Sequence, residues 1–384
     1  MTVSALTRPG QRDRISVKLG EIDWRLAGLL AFIAGIGAMM LYSIAGGSWK
    51  PWAEAHLIRF ALLFGIMIIL SLVDLRVWYS LAYPAYALAL LLLVAVMLVG
   101  DVRLGARRWL GHGSLSLQPS ELMKIALVMA LGRFYHNLTA KQARWSWKLL
   151  IPVAMIGAPV LLVAKQPDLG TAILLALTGG IMMFMGGLTW KVIWPVVIGV
   201  CVAVPPAVMF VLKPFQRDRI MTFLHPDKDP SGTGYHIIQS EIAAGSGGFL
   251  GKGYLLGTQS QLNFLPEKQT DFIFATVAEE FGFIGCFVVL AAYGAIVFTA
   301  LRIASTSHSH FGRMAAAGMT ATFAFYVLIN GAMVIGLAPV VGVPMPLLSY
   351  GGTVMVTVMI GFGLVQAVRV HRYFELPRGR GFLF

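Results

Sequence analysis

Charge, cysteine and internal repetition are all scarce in this chain, and each shortage excludes a class of protein. Of 384 residues only 12% are charged, about half the share of an average soluble domain. That excludes an ordinary water-soluble globular fold. Two cysteines are present, Cys201 and Cys286, both within apolar runs where a small apolar side chain is the ordinary reading. A disulfide framework and a cysteine-based metal centre are therefore excluded. No segment repeats along the sequence, so a transporter built from inverted repeats has no support. Acidic residues are the scarcer sign, 17 against 30 Lys and Arg, leaving a formal charge of +13.

Apolar residues are abundant, at 58% with a mean hydropathy of +0.77. Crossing about 30 Å of hydrocarbon as a helix takes roughly 20 apolar residues. About ten runs qualify, near residues 25–45, 57–74, 78–100, 120–137, 149–165, 170–188, 192–213, 272–301, 314–337 and 350–369. None alternates polar and apolar residues as a barrel strand must. The sequence thus predicts an all-α polytopic membrane protein with a large structured extracytoplasmic loop, 213–271, between the seventh and eighth spans.

Lys and Arg set the orientation. Arg8, Arg12, Arg14, Lys18 and Arg25 precede the first span, Arg133, Lys141, Arg144 and Lys148 surround the loop after the fourth, and Arg369, Arg372, Arg378 and Arg380 follow the last. Both termini are expected in the cytoplasm, as tails 1–22 and 372–384 around a membrane domain 23–371. About 22 polar residues without a small-residue cleavage site precede the first run, which is therefore not read as a cleaved signal peptide. Basic flanks facing anionic lipid account for much of the positive charge, so nucleic acid is not expected as a partner. Arg103, Arg107, Arg108, Lys165, Arg217, Arg219, Lys252 and Lys268 fall on the other side, where they suggest an anionic ligand.

Several stretches carry candidate chemistry. Pro119 suits a first helical position, placing Glu121 in the first turn where the helix dipole favours an anion. Lys124, three residues on, shares its face. The two form either a structural ion pair or the lining of a polar cavity at membrane depth. In the segment from Lys165 to Gly170, Pro167 and Asp168 read as turn residues. The glycine-rich run 245–253 fails the nucleotide-loop pattern, since Ser246 and Gly253 occupy the wrong positions and no strand precedes it. Its glycines suit tight turns and close helix contacts. Asp271 opens a long apolar helix with Ala275, Ala278 and Gly282 beneath it, predicting a small-residue groove. It is either an N-cap or a catalytic carboxylate. Glu279 and Glu280 point elsewhere, so at most one joins the same cavity. Pro339, Pro344 and Pro346 predict a broken segment after the ninth span, tolerated only where protein or water covers it.

Six motifs lie in order along the chain: GARRW at 105–109, QPSELMK at 118–124, QPDLGTA at 166–172, GYHIIQSEIAAGSGG at 234–248, LPEKQTDFIFATVAEEFG at 265–282 and PVVGVPMPLLSYGG at 339–352. Together they closely resemble the shape, elongation, division and sporulation family of RodA-like and FtsW-like peptidoglycan polymerases, over essentially the whole chain. The last motif is closer to the RodA branch. The resemblance implies glycosyl transfer from lipid II, a disaccharide-peptide on undecaprenyl pyrophosphate, at the outer face of the bacterial inner membrane. It implies Asp271 as the essential carboxylate, Glu121 and Lys124 as an intramembrane polar pair, and Arg108 with Trp109 as the outer-loop motif. A class B penicillin-binding protein transpeptidase and other elongation-complex proteins are the implied partners. The alternatives are a lipid II flippase and an FtsW-like division polymerase.

The implied chemistry fits these residue types. Building a β-1,4 link from an α-linked donor inverts the anomeric carbon, so the acceptor hydroxyl needs one general base. The departing diphosphate needs fixed cations. Arg108, Lys124, Arg217, Arg219 and Lys252 are the candidates, and Trp109 and Glu267 complete the expected substrate-binding set. The chemistry admits a divalent cation, Mg or Mn, although the sequence offers no evident ligand cluster.

Overall fold

Helix α2 (Trp24–Ile44) begins where Asp23 accepts a hydrogen bond from the Leu26 amide at 3.1 Å. The same device starts three further helices. Asp74 caps α4 (Leu75–Val99), Asp168 caps α7 (Leu169–Met185) and Ser309 caps α11 (His310–Val334). Each cap satisfies an amide that the first helical turn leaves without a partner. In this computed structural model the described residues are 15–103, 106–111, 118–139, 147–192, 233–265 and 267–377, with scattered positions between 194 and 225.

The remaining elements are a short α1 (Ile15–Glu21), α3 (Ala53–Ser71), strands β1 (Asp101–Arg103) and β2 (Ala106–Trp109), α5 (Pro119–His136), α6 (Leu150–Lys165), α8 (Thr233–Ser246), the single turn α9 (Thr258–Gln261), α10 (Ile273–Thr306) and α12 (Gly352–Val370). The two strands pair antiparallel as a small hairpin, with Asp101 opposite Trp109. They lie between helices rather than across the membrane.

Seven helical stretches among the described residues are long and apolar enough to cross a bilayer: α2, α3, α4, Trp147–Lys165, α10, α11 and α12. Two further expected spans are helices of another kind. Helix α5 carries Glu121, Lys124 and Arg133 in its 18 residues, and α7 has only 17. The expected span 192–213 lies largely outside the described residues, as do Cys201, Arg219 and part of loop 213–271, mainly between 213 and 232. Of the ten expected spans, seven are thus long, apolar helices among the described residues, two are the helices α5 and α7, and the tenth falls largely outside those residues. Cys286 is a free, half-buried thiol on α10.

Burial sorts the helices. Helix α12 is 72% buried along its apolar window and α3 only 17%. Helix α5 is enclosed almost throughout, packing against α4, α6, α7, α11 and α12. A helix that is apolar on all sides packs where it can. A helix carrying a Glu and a Lys must be surrounded by protein, because lipid offers those charges no partners.

The two ends of the bundle differ chemically. At one end Arg133 donates to the Tyr79 carbonyl at 3.0 Å, Arg372 pairs with Glu21 at 3.0 Å and the His308 amide donates to the Arg372 carbonyl. At the other end lie the hairpin, the described part of the 213–271 loop and residues 335–351, which run without regular structure between α11 and α12. This is the broken segment that its prolines predict.

The described part of the loop is folded onto α10. Helix α10 is interrupted at Gly282, whose φ of 62° and ψ of −158° lie outside the helical region. The freed backbone pairs with the glycine-rich run. The Lys252 and Gly253 amides donate to the Glu279 and Glu280 carbonyls at 3.0 Å, and the Phe283 amide donates to the Gly248 carbonyl at 2.9 Å. A Cβ on Gly251 would collide with the Glu280 carbonyl, and one on Gly247 with that of Ala278. Close backbone approach therefore requires glycine at both positions.

Candidate active site

Asp271 lies where three pieces of chain converge. The N-cap of α10 is Phe272, without a side-chain capping bond, so capping does not account for the Asp271 carboxylate. Its backbone carbonyl accepts from Asn330 Nδ2 on α11 at 2.8 Å, and the same nitrogen donates to the Val343 carbonyl of the broken segment at 2.7 Å. A Cβ built on Gly342 would stand 3.7 Å from Asp271 Oδ2. The half-buried carboxylate therefore faces backbone at Gly342, with no intervening side chain from that residue.

The small-residue groove expected below Asp271 is filled. Gly247 packs on Ala278, and Gly251 on Glu280 and Gly282. Neither following glutamate joins the carboxylate. Glu279 Oε1 accepts from Lys252 Nζ at 2.8 Å, Thr258 Oγ1 at 3.0 Å and the Gln259 amide at 2.9 Å. Glu280 accepts from Ser43 Oγ on α2. The two anchor the cap and α2 to α10.

Glu121 and Lys124 form one closed network with Tyr326. Lys124 Nζ lies 2.6 Å from Glu121 Oε1, and the Tyr326 hydroxyl is 3.1 Å and 3.0 Å from the two Glu121 oxygens. Lys124 also reaches the Tyr326 hydroxyl and lies 4.5 Å from the centre of its ring. Lys124 and Tyr326 are almost wholly enclosed. A buried charge stripped of its partner costs about 3–5 kcal/mol, which explains three mutual partners at this depth.

Tyr326 and Asn330 stand four residues apart on α11, hence on one face. That face joins the buried network to Asp271. Two sequence motifs close the space beside it. Gln118 donates to Asp168 Oδ2 at 3.2 Å, Arg108 donates to the Pro167 carbonyl, and a Cβ on Gly170 would strike the Val341 carbonyl. The motifs at 105–109, 118–124, 166–172 and 339–352 thus meet at one end of the bundle.

The remaining candidates are placed as follows. Lys252 is committed to Glu279. Trp109 is half-buried in the hairpin, and Arg217 is exposed. Glu267 adopts a φ of 48° in the turn before Asp271 and accepts from Thr270 Oγ1 at 3.2 Å, so it shapes backbone. Lys268 donates to the Ser260 carbonyl and to Asn263 Oδ1, and burial pushes its ammonium below the usual lysine range. Among the described residues no group of three His, Cys, Asp or Glu side chains converges to hold a metal.

Sequence reasoning passed over Tyr326, Asn330, Gln118, Arg59 and Tyr350 as site residues. A signal existed for the first two, because polar side chains inside an apolar span are functional by default.

An enclosed ion pair, a carboxylate at a bundle end and a broken segment across it define a multi-pass, predominantly helical membrane protein with a polar site at one end. The family model described as "Cell cycle protein", covering FtsW, RodA and SpoVE, matches residues 23–374. The peptidoglycan glycosyltransferase MrdB of Escherichia coli K12 is 42% identical over 344 residues, covering 90% of this chain and 92% of that protein. A chain from a peptidoglycan synthase complex that coordinates polymerization and crosslinking superposes with a TM-score of 0.77 at 32% identity, covering 92% of this chain and 98% of that one. The crystal structure of Thermus thermophilus RodA, a rod shape determining protein, gives 0.69 at 27% identity, with the same coverage. The chain belongs to the FtsW, RodA and SpoVE family.

Proposed function

We propose that this protein is a peptidoglycan glycosyltransferase that polymerises lipid II into β-1,4-linked glycan at the outer face of the inner membrane during cell elongation. Its 42% identity to MrdB across nine-tenths of the chain supports the activity. The observation that carries the mechanism is the position of Asp271, held by Asn330 against the broken segment with its carboxylate at Gly342.

In this reading the acceptor 4-hydroxyl attacks the donor anomeric carbon and gives its proton to Asp271. The anomeric C–O bond to the diphosphate breaks, and the lipid diphosphate leaves with the electron pair. A positioned carboxylate base contributes typically 10²- to 10⁴-fold. Glu121, Lys124 and Tyr326 act behind it by fixing α5 against α11, whose Asn330 positions Asp271. Among the described residues no group of three His, Cys, Asp or Glu side chains converges to hold a divalent cation, Mg or Mn, and no step here is routed through one.

The end bearing Asp271 is extracytoplasmic in this reading, and both termini are cytoplasmic, because the opposite end collects Arg76, Arg133 and Arg372. A class B penicillin-binding protein is the proposed partner, supported by the synthase complex that this chain resembles.

Purified protein in liposomes supplied with lipid II tests the activity. The proposal requires glycan product on a gel. Substrate translocation without polymer would instead establish the flippase.

A further inference from the structure

The departing diphosphate requires fixed cations, yet the described cations close to Asp271 are largely occupied. Lys124 is enclosed with Glu121 and Tyr326, Lys252 is paired with Glu279, Arg108 is bound to the Pro167 carbonyl, and Lys268 is buried against Ser260 and Asn263. Lys124 and Lys252 thus have carboxylate partners, Lys268 is buried, and half-buried Arg108 gives one donor to a carbonyl.

Arg59 differs from these four in being exposed. It stands on α3, the least enclosed kind of helix in the bundle, six residues after Ala53 and so about 9 Å below the helix start at 1.5 Å per residue. Its guanidinium is exposed, and no carboxylate pairs with it among the described residues. Arg59 Nη2 donates to the Tyr350 hydroxyl at 3.0 Å, and the guanidinium lies 4.7 Å from the centre of the Tyr350 ring. It also lies alongside Gly352, where a Cβ would meet Nη1 at 3.5 Å. Tyr350 belongs to the broken segment that faces Asp271. Its amide donates to the Gln269 carbonyl at 2.8 Å, two residues before Asp271.

An arginine near the end of a lipid-facing helix can lift its charge to the interface. Interface-seeking alone gives no reason for the group to fold over a tyrosine that is tied to the Asp271 turn. One N–H directed at Tyr350 leaves four of the five guanidinium donors free, in the planar fork that suits phosphate oxygens. We propose that Arg59, presented by Tyr350, binds the diphosphate of the lipid-linked substrate at the mouth of the Asp271 site. This rests on the polymerase reading and names the cation that it needs.

The test uses the full-length protein in liposomes, as wild type, Arg59→Gln, Arg59→Lys and Tyr350→Phe. Initial polymerisation rates are measured against lipid II, and direct binding against labelled undecaprenyl pyrophosphate. Losing a charge-assisted bond costs about 10- to 100-fold in affinity. Arg59→Gln is expected to raise the pyrophosphate Kd by that factor and to lower kcat/KM by at least as much, because the charge on the departing diphosphate grows in the transition state. Arg59→Lys recovers part of the loss, and Tyr350→Phe gives a smaller loss of the same kind. An Arg59→Gln variant with a lowered melting temperature but unchanged kcat/KM and Kd would make the residue a membrane anchor and overturn the proposal. An effect confined to phosphatidylglycerol vesicles and absent in phosphatidylcholine would assign Arg59 to ordinary lipid headgroups, with the same consequence. If wild type binds the pyrophosphate but makes no polymer, the polymerase reading fails while the binding arm still reports on Arg59.

Discussion

Asn330 holds the Asp271 and Val343 carbonyls with a single side-chain nitrogen, at 2.8 Å and 2.7 Å. One amide thus fixes the spacing between the turn that carries the carboxylate and the segment facing it. Its two N–H groups serve both bonds, so no smaller side chain can replace it. Replacing Asn330 by Ala leaves two carbonyls without a donor and is expected to cost about 1–3 kcal/mol of stability. Polymerisation should fall through kcat more than through KM, because the base is misplaced while substrate contacts remain. Steady-state kinetics alongside thermal unfolding in detergent check this.

The Glu121, Lys124 and Tyr326 network makes a different prediction. Lys124→Met alone strands a buried carboxylate and is expected to destabilise by about 3–5 kcal/mol. The double variant Glu121→Gln with Lys124→Met removes both charges and should regain most of that stability. Comparing melting temperatures of the two single variants and the double variant gives the coupling. Additive losses would show that the pair does not act as a unit.

A third prediction concerns the cap. Glu279 collects Lys252, Thr258 and the Gln259 amide, so Glu279→Gln should loosen residues 247–261 before the bundle opens. Hydrogen exchange reads such local opening directly. The expected result is faster exchange confined to that segment and its contacts on α10. Gly251→Ala, which sets a methyl against the Glu280 carbonyl, should release the same region more completely. Unchanged protection in both variants would contradict the anchoring role.

Lys268 supplies a pH dependence whose sign follows from its burial. Its folded value lies below the ordinary 10.5, so in the intervening range the unfolded chain binds the proton more tightly than the folded one. Its contribution to stability therefore rises with pH from the lowered folded value up to 10.5 and is flat at lower pH. Lys268→Met should abolish that rise. Melting temperatures of both proteins from pH 7.5 to 10.5 test it, and parallel curves would reject the burial effect.

Much of this site could be read from the sequence because charge in an apolar chain is conspicuous. Glu121, Lys124 and Asp271 stood out for that reason, and the prolines after Asn330 announced irregular backbone. Spacing on a helical wheel misled at Gly282, where the helix breaks and the groove below Asp271 fills with the cap's own glycines. That contact joins residues about thirty apart, and no periodicity encodes it. Tyr326, Asn330 and Tyr350 escaped notice because their importance lies in their partners: α11 and the broken segment acquire chemical meaning only once α5 and the Asp271 turn are packed against them. Arg59 was hidden by its setting, a single basic residue near the start of an otherwise ordinary span.

The central claim is that the Asp271 carboxylate accepts the acceptor's proton. Polymerisation of lipid II by purified Asp271→Asn, an isosteric change that keeps the Asn330 bond to the backbone, tests it most directly when melting temperature and pyrophosphate binding match wild type. The account predicts a fall in kcat of about 10²- to 10⁴-fold with KM little changed. Glycan made at the wild-type rate by that variant would contradict it.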